Sequence, residues 1–182
     1  VDLNGPLPRV QYPQRSDSDH LETFGVQHLC FHYPGTTHGI QDIDLELQRG
    51  TLTVITGRIG SGKTTLLRVL LGLLPKDSGR ICWNGLRIKD VGGFFTPPHT
   101  AYTAQAPRLF SATLRENILL GLEKDDAAIQ QALYMAVLDR DAIDMEKGLD
   151  TLVGPRGVRL SGGQAQRTAA ARMLIRAAEL LV

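Results

Sequence analysis

The chain has 182 residues, of which 42% are hydrophobic and 21% charged, as in an ordinary globular domain. Its 20 Lys and Arg against 19 Asp and Glu leave a net charge of +1. That balance argues against a strongly basic nucleic-acid binder or an acidic tail protein, so we expect no nucleic-acid partner. The most apolar run, residues 66–74, is interrupted by Arg68 and is far shorter than the roughly 18 residues of a membrane span. If the protein works at a membrane, we expect another segment or subunit to cross it.

Both ends of the chain have unusual features. The first residue is Val1 rather than Met, and residues 179–182 are typical of the start of a buried strand. We therefore expect both ends to be cut. Residues 1–25 combine three prolines with a polar stretch, which predicts a flexible N-terminal tail or linker.

The first half of the chain carries mostly β-type patterns. Strands are predicted at residues 26–33, 43–48, 51–56, 80–83 and 101–104. The run 51–56 is β-branched and apolar, which is typical of a central strand. Helical composition extends over residues 63–74, and Pro75 is expected to end that helix. The strand at 101–104 is expected to end at Gln105.

The second half is predicted to be mainly helical. Helices are predicted at residues 114–120, 125–138 and 161–178. In the second of these, Ile129, Leu133, Ala136 and Val137 are predicted to share one face. Strands followed by a crossover helix, a helical insert and a return to the sheet predict an α/β fold.

Residues 57–64 match the phosphate-binding pattern G-x-x-x-x-G-K-[ST]. Glycines let backbone N–H groups approach a polyphosphate closely, and the following helix directs its positive dipole end at the same oxygens. Lys63 would add a mobile positive charge for the β- and γ-phosphates, and the Thr64 hydroxyl would ligate Mg²⁺. An apolar strand before the loop and an apolar helix after it are the context that this motif requires.

A second motif, Leu-Ser-Gly-Gly-Gln, occupies residues 160–164. Taken alone, it is explained by an N-cap with a flexible lead-in before an Ala-rich helix. It also has the chemistry of a second anion-binding helix start, because a Ser hydroxyl and close-approach glycines precede free N–H groups. One explanation should account for two helix N-termini in the same chain that both have phosphate-binding chemistry.

With both motifs in this order, the chain resembles the nucleotide-binding domain of ABC transporters, and exporter-type members in particular. The resemblance covers about residues 26–182, and LSGGQ matches the family's signature sequence without departure. It implies an α/β P-loop NTPase core with an N-terminal antiparallel β subdomain and an inserted α-helical subdomain at about 110–175. It also implies that the final core strands are missing. The corresponding domains are a tail at 1–25 and an incomplete ATP-binding domain at 26–182.

The resemblance also implies roles for individual residues. Tyr33 matches the aromatic that stacks on adenine, with Phe31 as the rival, and Gln105 matches the glutamine that contacts Mg²⁺ and the attacking water. Lys63 and Gln105 are the implied catalytic residues, and Thr64 and Gln105 the implied Mg²⁺ ligands. The residues expected to bind the nucleotide are Tyr33, Gly57, Arg58, Ile59, Gly60, Ser61, Gly62, Lys63, Thr64, Thr65, Ser161, Gly162, Gly163 and Gln164.

Two further segments, 114–118 and 153–157, look like exporter segments where the helical subdomain meets the coupling helices. The alternative for Glu116 and Asn117 is a solvated helix face. The five histidines show no metal-ligand spacing, and we expect no metal role for them.

For function, the resemblance implies ATP and Mg²⁺ as ligands and a head-to-tail dimer with ATP between the P-loop of one subunit and the signature of the other. The dimer would power transport through a transmembrane domain or subunit at the cytoplasmic face of a membrane. The family's catalytic Asp and Glu and its switch His are not found up to Val182, so we expect ATP binding with very low turnover by this chain alone. Two alternatives stay open, a catalytically inert ATP-binding or regulatory module and a soluble ABC-type ATPase of DNA repair or translation.

Overall fold

The computed structural model describes Ser16 and residues 19–182, so most of the predicted tail at 1–25 lies outside the described residues. The described chain divides into two compact units. The β unit comprises residues up to Thr100, and the helical unit comprises Ala101–Leu181. The domain boundaries expected from the sequence, including the helical subdomain at about 110–175, stay a prediction.

The β unit contains one four-stranded antiparallel sheet with the order β2-β1-β3-β4. Its strands are β1 (Thr23–His32), β2 (Gly39–Gln48), β3 (Ser78–Trp83) and β4 (Leu86–Arg87). The N-terminal antiparallel β subdomain is therefore confirmed. A bulge in β1 inserts an extra residue around His28, whose φ is 51°. Because of that bulge, Leu29 and Phe31 are buried in alternation, as Phe24 and Val26 are before it.

Helix α1 (Lys63–Leu70) follows the glycine-rich loop and is shorter than predicted. It ends at Leu70, well before Pro75, because Gly72 takes a left-handed φ of 68° that does not continue the helix. The Gly72 amide donates to the Val69 carbonyl and the Leu73 amide to the Arg68 carbonyl, which closes a Schellman motif. A short helix, α2 (Val91–Phe94), completes the unit, with the Asp90 side chain as its N-cap.

The predicted central strand at 51–56 is wrong for this structure. The segment has no regular secondary structure, and Leu52 is 90% exposed. A strand needs a hydrogen-bonded neighbour to hold its backbone polar groups, and no segment within residues 19–182 pairs with this one. An apolar, β-branched pattern indicates that a segment can form a strand, but it does not show that a second strand is present to pair with it.

The helical unit contains four helices and two small strand pairs. The helices are α3 (Leu114–Leu119), α4 (Asp126–Met135), α5 (Asp139–Asp144) and α6 (Gly162–Leu174). The strand pairs are β5 (Thr100–Ala101) with β8 (Leu180–Leu181) and β6 (Ala112–Thr113) with β7 (Leu152–Val153), and a 3-10 turn spans Gly148–Asp150. The strand expected at 179–182 is thus present, although Leu181 is 44% exposed rather than buried.

Several predicted element ends need correction. The strand expected at 101–104 reaches only Ala101, and α6 ends at Leu174 rather than Ala178. Ile129, Leu133 and Ala136 are buried as predicted, but Val137 is 70% exposed. Val137 leaves the shared face because α4 has already ended and the residue takes a φ of 54°.

The core of the helical unit is one apolar cluster built from α3, α4 and α6 with the loops between them. Its fully buried members include Leu114, Ile118, Ile129, Leu138, Val153 and Ala171. Alanines on the inner face of α6 allow that helix to pack closely against its neighbours. Among the described residues, no helix has both the length and the apolar character needed to cross a bilayer.

Ile129→Ala should destabilise the helical unit, because Ile129 is fully buried in the apolar cluster and its loss leaves a cavity. We expect about 2–5 kcal/mol less unfolding free energy by urea denaturation followed by circular dichroism. The matched control is Ile143→Ala on α5, where the side chain is 79% exposed and the expected change is within about 0.5 kcal/mol. Equal losses in the two variants would contradict the assigned core.

Candidate nucleotide-binding site

The glycine-rich loop before α1 makes a turn that its glycines permit. Gly60 and Gly62 have φ values of 82° and 89°, where a side chain would be strained. A Cβ on Gly62 would also lie 3.2 Å from the carbonyl oxygen of Gly39 and from Cγ2 of Ile40. The loop therefore packs tightly against the start of β2, which holds the beginning of α1 in place.

The Lys63 side chain folds back over this loop. Its Nζ donates to the carbonyl oxygens of Gly57 and Arg58 at 2.8 Å each, and it lies 3.5 Å from Oγ of Ser61. The ammonium group thus sits where the loop curves, beside the first turn of α1. Three N–H donors on a flexible stem allow it to exchange these carbonyls for phosphate oxygens.

The first turn of α1 suits an anion. Its N-cap is Gly62, which provides no side-chain cap, and the turn contains no acidic residue. The N–H groups at a helix start have no intrahelical partner and carry the positive end of the helix dipole. Arg58, Ile59 and Thr64 are exposed around this turn, so a polyphosphate could reach it. The residues present therefore fit ATP phosphates and a Thr64-bound Mg²⁺.

Of the two candidate adenine-stacking residues, only Tyr33 is accessible. Phe31 is 4% exposed in the sheet core, whereas Tyr33 is half-buried and packs edge-on against Phe31 with ring centroids 5.0 Å apart. The Tyr33 hydroxyl lies 3.1 Å from Oγ1 of Thr65 on α1. This contact places the aromatic ring beside the helix that begins at the glycine loop.

The signature sequence forms the start of α6. Ser161 is the N-cap, and its Oγ accepts a hydrogen bond from the backbone N–H of Gln164 at 3.2 Å. The Gln164 side chain reaches back, and its Oε1 accepts from the Ser161 amide at 2.9 Å. This reciprocal pair is a capping box, and it leaves Gly162 and Gly163 exposed at the helix start.

Asp141 on α5 connects to this capping box from the side. Its carboxylate accepts from Nε2 of Gln164 at 3.1 Å and from Nε and Nη2 of Arg167 at 3.0 and 2.8 Å. The hydrogen bond from Gln164, with those from Arg167, lowers the pKa of Asp141 below its ordinary value. Nothing in the local sequence around Asp141 marked it in advance, because its partners are 23 and 26 residues away.

Gln105 lies in an exposed bend rather than at a strand end, since β5 stops at Ala101. Two residues before it, Oγ1 of Thr103 donates to the Ala169 carbonyl on α6 at 3.2 Å. The segment that carries Gln105 is therefore attached to the signature helix.

Asn117 is fully buried, so a solvated helix face is the wrong interpretation for this residue. Its amide Nδ2 donates to the carbonyl oxygens of Phe110, Ala112 and Thr113, and its Oδ1 accepts from the Phe110 amide at 2.8 Å. Glu116 is exposed and completes a capping box with Thr113 at the start of α3. Asn117 thereby fixes the loop that leads into α3.

Arg172 on α6 extends this network, and the motif analysis did not single it out. Its Nε donates to the Asn117 carbonyl at 2.8 Å, and its Nη1 donates to the Arg108 carbonyl at 3.2 Å. Burial lowers the pKa of its guanidinium. One polar side chain on α6 therefore supports the loop between Gln105 and α3.

Outside these regions, His28, Asp42 and Asp44 bring their donor atoms within 4.8 Å of one another on the exposed β1–β2 surface. Nδ1 of His28 lies 2.7 Å from Oδ1 of Asp42, and the His28 amide donates to Asp44. The hydrogen bond to Asp42 and the charges of both carboxylates raise the pKa of His28. The expectation that the histidines have no metal role stays a prediction.

The predicted site residues thus fall into two groups. Tyr33, Thr65 and residues 57–64 lie together in the β unit, and Gln105 and residues 161–164 lie in the helical unit. The nucleotide, Mg²⁺ and catalytic roles expected for them stay predictions.

Comparison with known proteins assigns the family. The model of the family described as ABC transporter matches residues 40–182, and the chain therefore belongs to that family. The fold agrees with a solved structure entitled "Structure of a bacterial Atm1-family ABC exporter with ATP bound", with a TM-score of 0.80 and 26% identity. That match covers 96% of this chain and 30% of the other.

Two of the curated relatives are bacterial proteins. The probable multidrug resistance ABC transporter ATP-binding/permease protein YheI of Bacillus subtilis is 38% identical over 85% of this chain and 27% of its own length. The ATP-dependent lipid A-core flippase of Pseudomonas fluorescens is 36% identical over 100% of this chain and 30% of its own length. The chain therefore spans less than a third of the length of either relative.

Asn117→Ala should destabilise the helical unit, because it removes a fully buried amide and leaves the Phe110 amide and several partly buried loop carbonyls without their partner. We expect about 2–4 kcal/mol less unfolding free energy by chemical denaturation. The control is Gln130→Ala, which changes an exposed amide on α4 and should alter stability by less than about 0.5 kcal/mol. A similarly small change in Asn117→Ala would show that the buried network does not support the loop.

Proposed function

We propose that this chain is an ATP-binding region of an exporter-type ABC transporter. The observation that carries the proposal is the glycine loop with Lys63 folded into it and an uncapped helix start behind it. A polyphosphate supplies the acceptor oxygens that such a turn is built to receive. The family to which the chain belongs and the printed names of its relatives support the same function.

In this proposal, ATP binds with its phosphates along the loop and the first turn of α1. The Lys63 ammonium leaves the carbonyls of Gly57 and Arg58 and donates to the β- and γ-phosphate oxygens. The Tyr33 ring stacks on the adenine, and the Thr64 hydroxyl holds Mg²⁺. Mg²⁺ would neutralise charge that develops on the phosphates during attack by water. Gln105 is proposed to orient that water and to contact the metal.

The signature turn is proposed to act on a nucleotide held by a second nucleotide-binding domain. Ser161 and the exposed amides of Gly162 and Gly163 would donate to the γ-phosphate of that nucleotide. Head-to-tail pairing would then depend on the γ-phosphate, and hydrolysis would release the pair. The resulting motion is proposed to drive transport through a transmembrane partner, with this region at the cytoplasmic face.

The printed names of the similar proteins, an ATP-binding/permease protein, a flippase and an ABC exporter, favour this function over a soluble ABC-type ATPase of DNA repair or translation. A module that binds ATP without turnover remains compatible with the loop geometry, and measurements of binding and of phosphate release on the same sample separate the two.

Lys63→Ala should weaken Mg·ATP binding by about 10- to 100-fold in a calorimetric or fluorescent-nucleotide titration, because it removes a charge-assisted donor to the phosphates. The matched control is Lys89→Ala, which removes the same charge from an exposed site in the β unit outside the loop. We expect wild-type affinity in that control. Equal affinity of Lys63→Ala and the wild type would overturn the proposed site.

A further inference from the structure

Both polar atoms of the Gln164 amide are engaged inside the chain. Oε1 accepts from the Ser161 amide, and Nε2 donates to the Asp141 carboxylate. The last residue of the signature sequence therefore faces α5, whereas the family resemblance predicted a nucleotide contact for it. A side chain held at both ends is suited to set the position of its neighbours.

Position 164 needs a glutamine because the Asp141 carboxylate requires a hydrogen-bond donor there. A capping box accepts either Glu or Gln at its third position, and a negative charge in the first turn of a helix is normally favourable. Here a glutamate would still accept from the Ser161 amide, but it would have no donor for the carboxylate at Asp141. Two carboxylates would then face each other at the distance of a hydrogen bond.

Asp141 is well placed to hold this arrangement. Its side chain is 21% exposed, and it receives a two-bond fork from Arg167 in addition to the bond from Gln164. The Arg167 guanidinium also lies over Gly163, where an added Cβ would be 3.2 Å from Nη1. The carboxylate on α5 thereby holds two side chains from the first two turns of α6.

We infer that Gln164 and Asp141 are positioning residues that together fix the signature turn, with Asp141 acting as a latch from α5 to the capping box. The latch holds the Ser161 side chain as the cap, while Gly162 and Gly163 stay exposed. The statement that this turn meets a nucleotide rests on the proposed function. The statement that Asp141 holds the turn rests on the hydrogen bonds alone.

The test is a charge-swap cycle read by hydrogen exchange at the Ser161 and Gln164 amides, the two N–H groups of the capping box. It uses the full chain without nucleotide. We expect Gln164→Glu to exchange roughly tenfold faster than the wild type at these amides. Asp141→Asn keeps an acceptor oxygen for Gln164 but turns an N–H group toward Arg167, so we expect exchange faster than in the wild type and slower than in Gln164→Glu.

Combining Asp141→Asn with Gln164→Glu exchanges the two roles. The new amide at position 141 can donate to the new carboxylate at position 164. We expect this double variant to return to within about threefold of the wild-type exchange rates. The control is Gln166→Glu, which adds the same charge to an exposed position of α6 and should not accelerate exchange. If Gln164→Glu fails to fold, recovery of folding in the double variant is read in the same way.

Exchange in Gln164→Glu that is no faster than in Gln166→Glu would overturn the latch. The same conclusion follows if the double variant exchanges as fast as Gln164→Glu. A chain that shows the latch but does not bind Mg·ATP would leave this inference standing and overturn the proposed function. The two failures are therefore distinguishable.

Discussion

The proposed function depends on how closely the backbone of the β unit can approach a cluster of negative charge. Polyphosphate oxygens need many N–H donors at once, and only a turn that lacks side chains at its bends can bring them together. Gly60 and Gly62 supply that turn in the left-handed region of φ. The close contact of Gly62 with Gly39 and Ile40 connects the turn to β2, and the Tyr33 hydroxyl connects β1 to α1. The antiparallel sheet thus serves as the support of the loop.

In the helical unit, buried polar side chains constrain the loop around them, because their hydrogen bonds must be made. A buried amide or guanidinium is costly unless its hydrogen bonds are made, so Asn117 and Arg172 are stable only in one arrangement of the surrounding loop. Both residues contact the segment that leads from Gln105 into α3. Ser161 is the N-cap of α6 and Arg172 lies in its last turn. A displacement of α6 would therefore move the contacts that Arg172 makes with that segment. The signature turn and the Gln105 segment are consequently parts of one packed body.

The sequence predicts the local elements of this structure better than their pairing. Glycine and capping chemistry are local, so the loop at 57–62 and the N-cap at Ser161 could be anticipated, whereas the antiparallel sheet was expected from the family resemblance. The failure of the predicted strand at 51–56 could not be anticipated from local chemistry, because a strand forms only when a neighbouring strand pairs with it. Val137 was assigned to the wrong face because the helical period was continued past the true helix end.

The candidate site shows the same division. Lys63, Tyr33 and the signature residues belong to recognisable motifs, and the structure leaves Tyr33 accessible while it buries Phe31. Asp141 and Arg172 could not have been found from the sequence, because each acts on partners more than 20 residues away in the chain. Long-range polar contacts of this kind depend on packing that no local pattern encodes.

In the proposed head-to-tail pair, the glycine loop of one chain and the signature turn of another enclose one nucleotide. Sedimentation velocity with Mg·ATP on Lys63→Ala, on Ser161→Ala and on an equal mixture of the two tests this pairing. Each variant alone has both sites of a head-to-tail pair damaged, whereas a mixed pair keeps one intact site. The account predicts ATP-dependent association in the wild type, little in either variant alone, and recovery in the mixture. A mixture that associates no better than its components, or a wild type that does not associate with ATP, would contradict it.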